Sequence, residues 1–162
     1  MRRQNGFVLF WGGIFSQWYP HKMTIDGVEY NCNEQYMMAE KARTFGDMES
    51  LAAIMKSDNP KHQKSFGRGV KNFNPHIWDR MAQEVVFRAN LEKFSDPELK
   101  KYLFSFGNEE IVEASPYDPI WGIGLGEDDP DALDKTKWKG TNFLGEAIMR
   151  AREALRSINE IQ

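Results

Sequence analysis

Hydrophobic positions change their spacing several times along the chain, and each change predicts an element. The opening thirty residues read as extended: Phe7 to Tyr19 is aromatic with Gly12 and Gly13 inside it. Met23-Thr24-Ile25 and Val28-Glu29-Tyr30 then flank Asp26-Gly27. An Asp-Gly pair suits the positive φ angles of a tight turn, so these two runs predict a β-hairpin. Asn31 or Asn33 offers a side-chain cap for a helix running to about Phe45 and stopped by Gly46. Glu34, Met38, Lys41 and Phe45 recur along it at intervals of four, three and four, which places them on one face. Asp47 opens a second short helix through Ile54 and Met55. A third segment leads from Pro60 to Phe66-Gly67-Arg68-Gly69, where glycine stops the helix or lets its backbone approach a neighbour closely.

The longest helix starts near Pro75, a good first-turn residue, and runs to about Phe94, with Trp78, Met81, Ala82, Val85 and Ala89 as its buried stripe. Asp96-Pro97-Glu98 begins another helix to about Phe106, and Glu110 to Ala114 suits a short strand. From Ser115 to Gly140 the chain is rich in Gly, Pro and Asp and reads as one long ordered loop, a kind of segment that is commonly functional. The last helix is plain: Leu144, Ala147, Ile148, Ala151, Leu155 and Ile158 repeat at helical spacing beneath a charged outer face. The pattern as a whole predicts an α+β fold, predominantly helical, with a few short strands in the N-terminal and central regions.

Composition narrows this. At 162 residues, with 41% hydrophobic and 28% charged residues, the chain suits one domain over residues 1–162 with its own core, and it is too apolar for disorder. A lone cysteine, Cys32, with three scattered histidines supplies neither a disulfide nor the ligand set of a structural zinc site. That points to a reducing compartment. The apolar stretch Phe7 to Trp11 behind the basic start is too short for a signal-peptide core, and no run is long enough to span a membrane. The expected location is the cytoplasm.

A net charge of −3 argues against a general nucleic-acid coat. Charge is unevenly spread, however. Lys56, Lys61, Lys64, Arg68 and Lys71 face only Asp58 within their stretch, whereas every charged residue from Glu109 to Asp134 is acidic. The basic run suits a phosphate, or it is simply a solvated surface.

Lys41 lies on an otherwise apolar face, where a lysine either snorkels to solvent or is held in a partly dry pocket. In the pocket its amine loses basicity and can attack a sugar aldehyde carbon to form a Schiff base. Glu34, two turns earlier, serves as acid or base, or is a first-turn Glu favoured by the helix dipole. Glu113-Ala114-Ser115-Pro116-Tyr117-Asp118-Pro119-Ile120-Trp121-Gly122 sets two carboxylates and an indole around a turn, an arrangement suited to general acid and base work at a glycosidic carbon. The alternating Gly122, Gly124 and Gly126 lack the strand and helix of a dinucleotide fingerprint and read as loop flexibility. Cys32 reads as a small buried hydrophobe rather than a nucleophile, and Trp78 as core or as a stacking platform.

Together these residues resemble the NADAR family, the YbiA-like N-glycosidases. The resemblance rests on Phe15-Ser16-Gln17-Trp18-Tyr19 and on Tyr30-Asn31-Cys32-Asn33-Glu34-Gln35-Tyr36-Met37-Met38-Ala39-Glu40-Lys41-Ala42. It continues through Gly67-Arg68, Trp78, Lys93-Phe94, Glu113-Ala114-Ser115-Pro116, Asp118, Trp121-Gly122 with Gly124, and Gly140-Thr141-Asn142-Phe143-Leu144-Gly145. The N-terminal motif departs from the commoner Ser-Asn-Phe form, having Ser16-Gln17-Trp18. The resemblance implies a compact, mainly helical fold and hydrolysis of an N-glycosidic bond between ribose and a base nitrogen. It implies as substrates phosphorylated ribosylamino-pyrimidine intermediates of riboflavin synthesis, or ADP-ribosylated guanine in nucleic acid. It places the family's helix lysine at Lys41 with Glu34 as its acidic partner, lining indoles at Trp78 and Trp121 with Asp118 beside the latter, and further substrate contacts at Gly122, Glu113, Ser115 and Asn142. Arg68 is the choice for phosphate from the basic run itself. Either Glu34 or Asp118 moves protons, and the chemistry calls for no metal or redox cofactor. A non-catalytic ADP-ribose binding module, or a structural partner protein, would use the same tryptophans without a reactive amine.

Overall fold

The computed structural model describes residues 1–161, with side chains as far as residue 160. The fold is α+β and mainly helical, and the chain divides into two compact units: Met1–Ser16 together with the chain from Phe94 onward, and Gln17–Lys93.

In the discontinuous unit, β1 (Arg2–Gln4) and β2 (Phe7–Phe10) form a hairpin. Its turn, Asn5-Gly6, takes φ of 54° and 81°, the left-handed pair that an Asn-Gly turn supplies cheaply. β5 (Glu110–Glu113) joins β2 in parallel, Phe7 opposite Glu110 and Phe10 opposite Glu113, giving the order β1-β2-β5. Leu9 and Val112 from these strands bury against Ala114, Ile123, Leu125 and Ala132, with Phe7 and Trp138 closing the cluster. Phe15 is fully buried among the rings of Phe10, Phe94, Tyr102 and Phe106. The helix here called α5 (Pro97–Phe104) is capped by Asp96, whose side chain accepts from the Glu98 and Leu99 amides. The helix here called α6 (Phe143–Ile161) packs along β5.

In the continuous unit, β3 (Met23–Ile25) and β4 (Val28–Tyr30) make the predicted hairpin. Four helices follow: α1 (Asn33–Thr44), α2 (Met48–Lys56), α3 (Pro60–Arg68) and α4 (Pro75–Lys93). α1 packs against all three of the others, and every residue from Asn33 to Ala39 is buried. A helix enclosed on all sides cannot keep a polar face in water. Its buried polar residues must therefore find partners inside the protein.

Several expectations are corrected. The cap of α1 is Cys32, not Asn31 or Asn33, and it makes no side-chain cap bond. The Gln17 carbonyl instead accepts the Glu34 amide at 3.0 Å, and the Asn31 amide donates to Gln35 Oε1 at 2.8 Å. The aromatic stretch from Phe7 to Tyr19 is extended only as far as Phe10 and turns through a 3-10 helix at Gly13–Phe15. Met81 and Ile158 are exposed rather than part of their stripes. The loop from Ser115 to Gly140 contains 3-10 turns at Pro130–Leu133 and Lys135–Lys137. Gly122 is not a flexible point: an added Cβ would lie 2.9 Å from the Glu113 carbonyl oxygen and 3.0 Å from that of Asp118.

Candidate active site

In the continuous unit α1 carries Glu34 and Lys41. Glu34 is buried near the helix start, while Lys41 is half-buried two turns later with its ammonium 4.4 Å from the centre of the Phe73 ring. Partial burial lowers the Lys41 pKa below the ordinary lysine value, the Glu34 carboxylate acts against that, and the Arg68 guanidinium adds to it. These are the conditions that raise the share of nucleophilic neutral amine. Arg68 itself is exposed in the last turn of α3. The preceding residue, Gly67, lets α3 sit close on α1: a Cβ there would lie 1.9 Å from Met38 Sδ, so that methionine side chain would have to move aside. Trp78 is buried on α4. Of the basic run, Lys71 pairs with Glu49 at 3.8 Å.

Cys32 is buried and donates its thiol to Gln63 Oε1 at 3.3 Å, and burial pushes its pKa up to about 11. A thiol so held is protonated and inert. Asn33 accepts from His21 Nε2 at 3.0 Å and donates to Asn90 Oδ1 at 3.1 Å, anchoring the start of α1.

One further chemically capable side chain lies outside the candidates that the sequence pattern singles out. Lys93 ends α4 at 1% exposure, its ammonium 5.2 Å from the centre of the Tyr19 ring. Burial pulls its pKa down to about 7. The signal was present, since Lys93 takes the next helical position after Val85 and Ala89 on the buried stripe.

In the discontinuous unit, the predicted loop residues gather where β5 ends. Asp118 Oδ1 accepts the amides of Ile120 and Trp121, both at 2.9 Å, and closes the turn. Ser115 is buried, its hydroxyl accepting the Tyr117 amide at 3.3 Å. The Glu113 carbonyl accepts the Ile123 amide at 3.0 Å, alongside Gly122. Asn142, at φ 52°, spends both ends of its amide on β5: Oδ1 accepts from Glu113 N at 2.9 Å and Nδ2 donates to Ile111 O at 3.0 Å. The Trp121 indole meets the Phe143 ring edge-on at 6.1 Å. The same unit holds a cavity of about 700 Å³ whose walls include Gly12, Gly13, Pro116 and Asp128. Trp11 and Tyr117 also line it, 62% and 82% exposed with ring centres 6.3 Å apart. Neither ring is among the candidate residues of the sequence pattern.

Glu34, Lys41, Arg68 and Trp78 thus belong to one unit, and Glu113, Ser115, Asp118, Trp121, Gly122 and Asn142 to the other. Among the described residues no group of three or more His, Cys, Asp or Glu side chains is arranged to hold a metal ion, and no helix is long and apolar enough to cross a membrane.

A model of the NADAR domain matches residues 9–156. An N-glycosidase of Acanthamoeba polyphaga mimivirus is 47% identical over 146 residues, 86% of this chain and 86% of that protein. An N-glycosidase of Nostoc punctiforme is 27% identical over 147 residues, 90% of this chain and 87% of that protein. A chloroplastic riboflavin biosynthesis protein of Zea mays is 26% identical over 156 residues, 88% of this chain but 23% of that longer protein. The solution structure of E. coli YbiA matches with a TM-score of 0.79 at 24% identity, covering 99% of this chain and 90% of that one, a likeness of fold.

Proposed function

The chain belongs to the NADAR family and is an N-glycosyl hydrolase, and from that premise we propose that it cleaves the bond between ribose and a base nitrogen through a Schiff base on Lys41. The observation that carries this is the half-buried Lys41 amine, held below the ordinary lysine pKa with the Glu34 carboxylate acting on it.

Protonation of the ribose ring oxygen breaks its bond to C1, leaving an iminium between C1 and the base nitrogen. The neutral Lys41 amine adds to C1 and loses a proton. The base nitrogen takes up a proton and departs with its electron pair, leaving C1 joined to Lys41 as a protonated imine. Water adds to that carbon, and the adduct collapses to an open-chain sugar aldehyde and free lysine. Glu34, buried on the same helix, is the carboxylate we assign to these transfers. Asp118 is the alternative, although one of its oxygens already closes the Ile120-Trp121 turn.

Arg68 and its basic neighbours supply the phosphate contact on this reading, and Trp78 a stacking surface. Trp121, Glu113, Ser115, Gly122 and Asn142 are assigned to substrate binding on the family resemblance alone. The substrate is a small ribosylated base. A phosphoribosylamino-pyrimidine of riboflavin synthesis comes first, supported by the maize relative, and ADP-ribosylated guanine comes second. We further read residues 1–162 as one domain, supported by a family match that draws on both units.

The test is Lys41→Arg, which keeps the charge but not a neutral amine. We expect a folded protein that releases no base, and a borohydride-trapped sugar adduct on Lys41 in wild type. Undiminished base release by Lys41→Arg would sink the mechanism.

A further inference from the structure

The side-chain oxygen of Gln17 is sealed from solvent and has no hydrogen-bond partner among the described residues. Burial strips a carbonyl oxygen of its water, so an acceptor left empty is a standing cost that an arriving donor removes. Fold requirements account for the rest of this residue but not for that atom. The Gln17 backbone carbonyl takes the Glu34 amide at 3.0 Å, serving the α1 start that Cys32 leaves without a side-chain cap. At the far end of the side chain, Nε2 donates to Met37 Sδ at 3.5 Å. A thioether is a weak acceptor, so the amide is lightly held.

Its neighbours define what it faces. Met37 precedes Lys41 by one helical turn, and Glu34 precedes Met37 by three residues, so all three share a face of α1. The Gln17 amide touches this face at Met37. The terminal torsion of glutamine is broad, and turning it sacrifices only the N–H···S contact. Either end of the amide can then meet a ligand, and Gln17 as a residue is only half-buried. A hydroxyl both donates and accepts, so it satisfies the amide in either orientation, whereas a base N–H satisfies the oxygen alone.

We propose that Gln17 is a specificity-determining residue whose side-chain amide binds a ribose hydroxyl of the substrate. This rests on the Lys41 reading above, because attack by Lys41 is what brings the sugar to this face of α1.

The experiment compares wild type, Gln17→Met and Gln17→Leu on a ribosylated base, on its 2′-deoxy and 3′-deoxy counterparts, and on a base analogue lacking its exocyclic amine. Methionine keeps the length and the packing on Met37 but lacks the amide. Wild-type kcat/KM should fall about tenfold on one deoxy substrate, as one lost hydrogen bond implies. Gln17→Met should fall by about the same factor on the ribosyl substrate and lose nothing further on that deoxy substrate. Equal losses on all substrates, no loss on any, or a loss that tracks the base amine instead would overturn the proposal. Should Gln17→Met fail to fold, Gln17→Leu and the wild-type deoxy series give the same decision.

A binding arm needs no turnover. Ribose 5-phosphate should raise the wild-type melting temperature more than its 2-deoxy or 3-deoxy form, and Gln17→Met should erase that difference. If wild type releases no base, or Lys41→Arg still does, the Lys41 reading fails while the melting shifts still decide Gln17.

Discussion

Lys41 sits among three neighbours that act on its proton with different signs. The Phe73 ring favours the ammonium through its negative face, the Glu34 carboxylate favours it too, and Arg68 opposes it, in addition to the dominant effect of burial. In the proposed mechanism only the unprotonated amine attacks C1. Activity should therefore climb as pH rises through the lowered Lys41 pKa and level off above it, with the acid limb lying below that of an ordinary lysine. Removing the like charge with Arg68→Gln raises the Lys41 pKa, so the limb of log(kcat/KM) against pH should move to higher pH. Phe73→Leu withdraws support from the ammonium and should move it to lower pH. Because Arg68 also serves phosphate in our proposal, the position of the limb decides and its height does not. Shifts in the same direction, or an unmoved limb in both variants, would mean that another group controls the profile. Lys41 itself was visible in the sequence as a charge on an apolar face. Its environment was not, because Phe73 and Arg68 reach it through tertiary folding, which helical spacing does not encode.

Between β5 and α6, contact is close enough that two small residues decide whether the elements fit. A Cβ on Gly145 would lie 2.1 Å from the Ile111 carbonyl oxygen, against backbone that cannot move aside. Asn142 ties the same strand through both ends of its amide. Gly145→Ala and Asn142→Ala should each cost about 3 kcal/mol, the first through overpacking and the second by stranding buried backbone groups. Denaturant midpoints check this, and a loss under about 1 kcal/mol would show that the junction yields. Elements of this scale are largely legible where their code is local. The β3-β4 hairpin is announced by Asp26-Gly27 and the last helix by its repeat. Asn5-Gly6 gives β1 and β2 the same kind of local signal, which reading the extended stretch from Phe7 onward leaves unused. The pairing of β2 with β5 is not legible, because Phe7 meets Glu110, 103 positions later, and no short pattern specifies such a partner. Gly122 was misread for the same reason, since the surface it presses on becomes defined only once Glu113 and Asp118 are in place.

Over the whole molecule, charge sets the size of what can be held. The formal charge is −3, and the basic run from Lys56 to Lys71 gives up one of its members to Glu49. What remains suits one or two phosphates and not a polynucleotide track. Base release from ADP-ribosylated guanosine and from an oligonucleotide carrying the same group should therefore differ by less than about tenfold, with a shallow salt dependence for both. A steep loss between low and moderate salt for the oligonucleotide alone would reveal a backbone-binding surface. The division of the chain has a consequence of another kind, in the order of synthesis. Residues 17–93 form an uninterrupted unit and leave the ribosome as a complete set of strands and helices. The strands of the other unit are made almost a hundred residues apart, so β2 waits with an open edge while the whole intervening segment is translated. Domains fold as they emerge, and a nascent chain stalled after Lys93 has cleared the ribosomal exit tunnel should already protect the hairpin and the four helices from protease while its first ten residues remain open to cleavage.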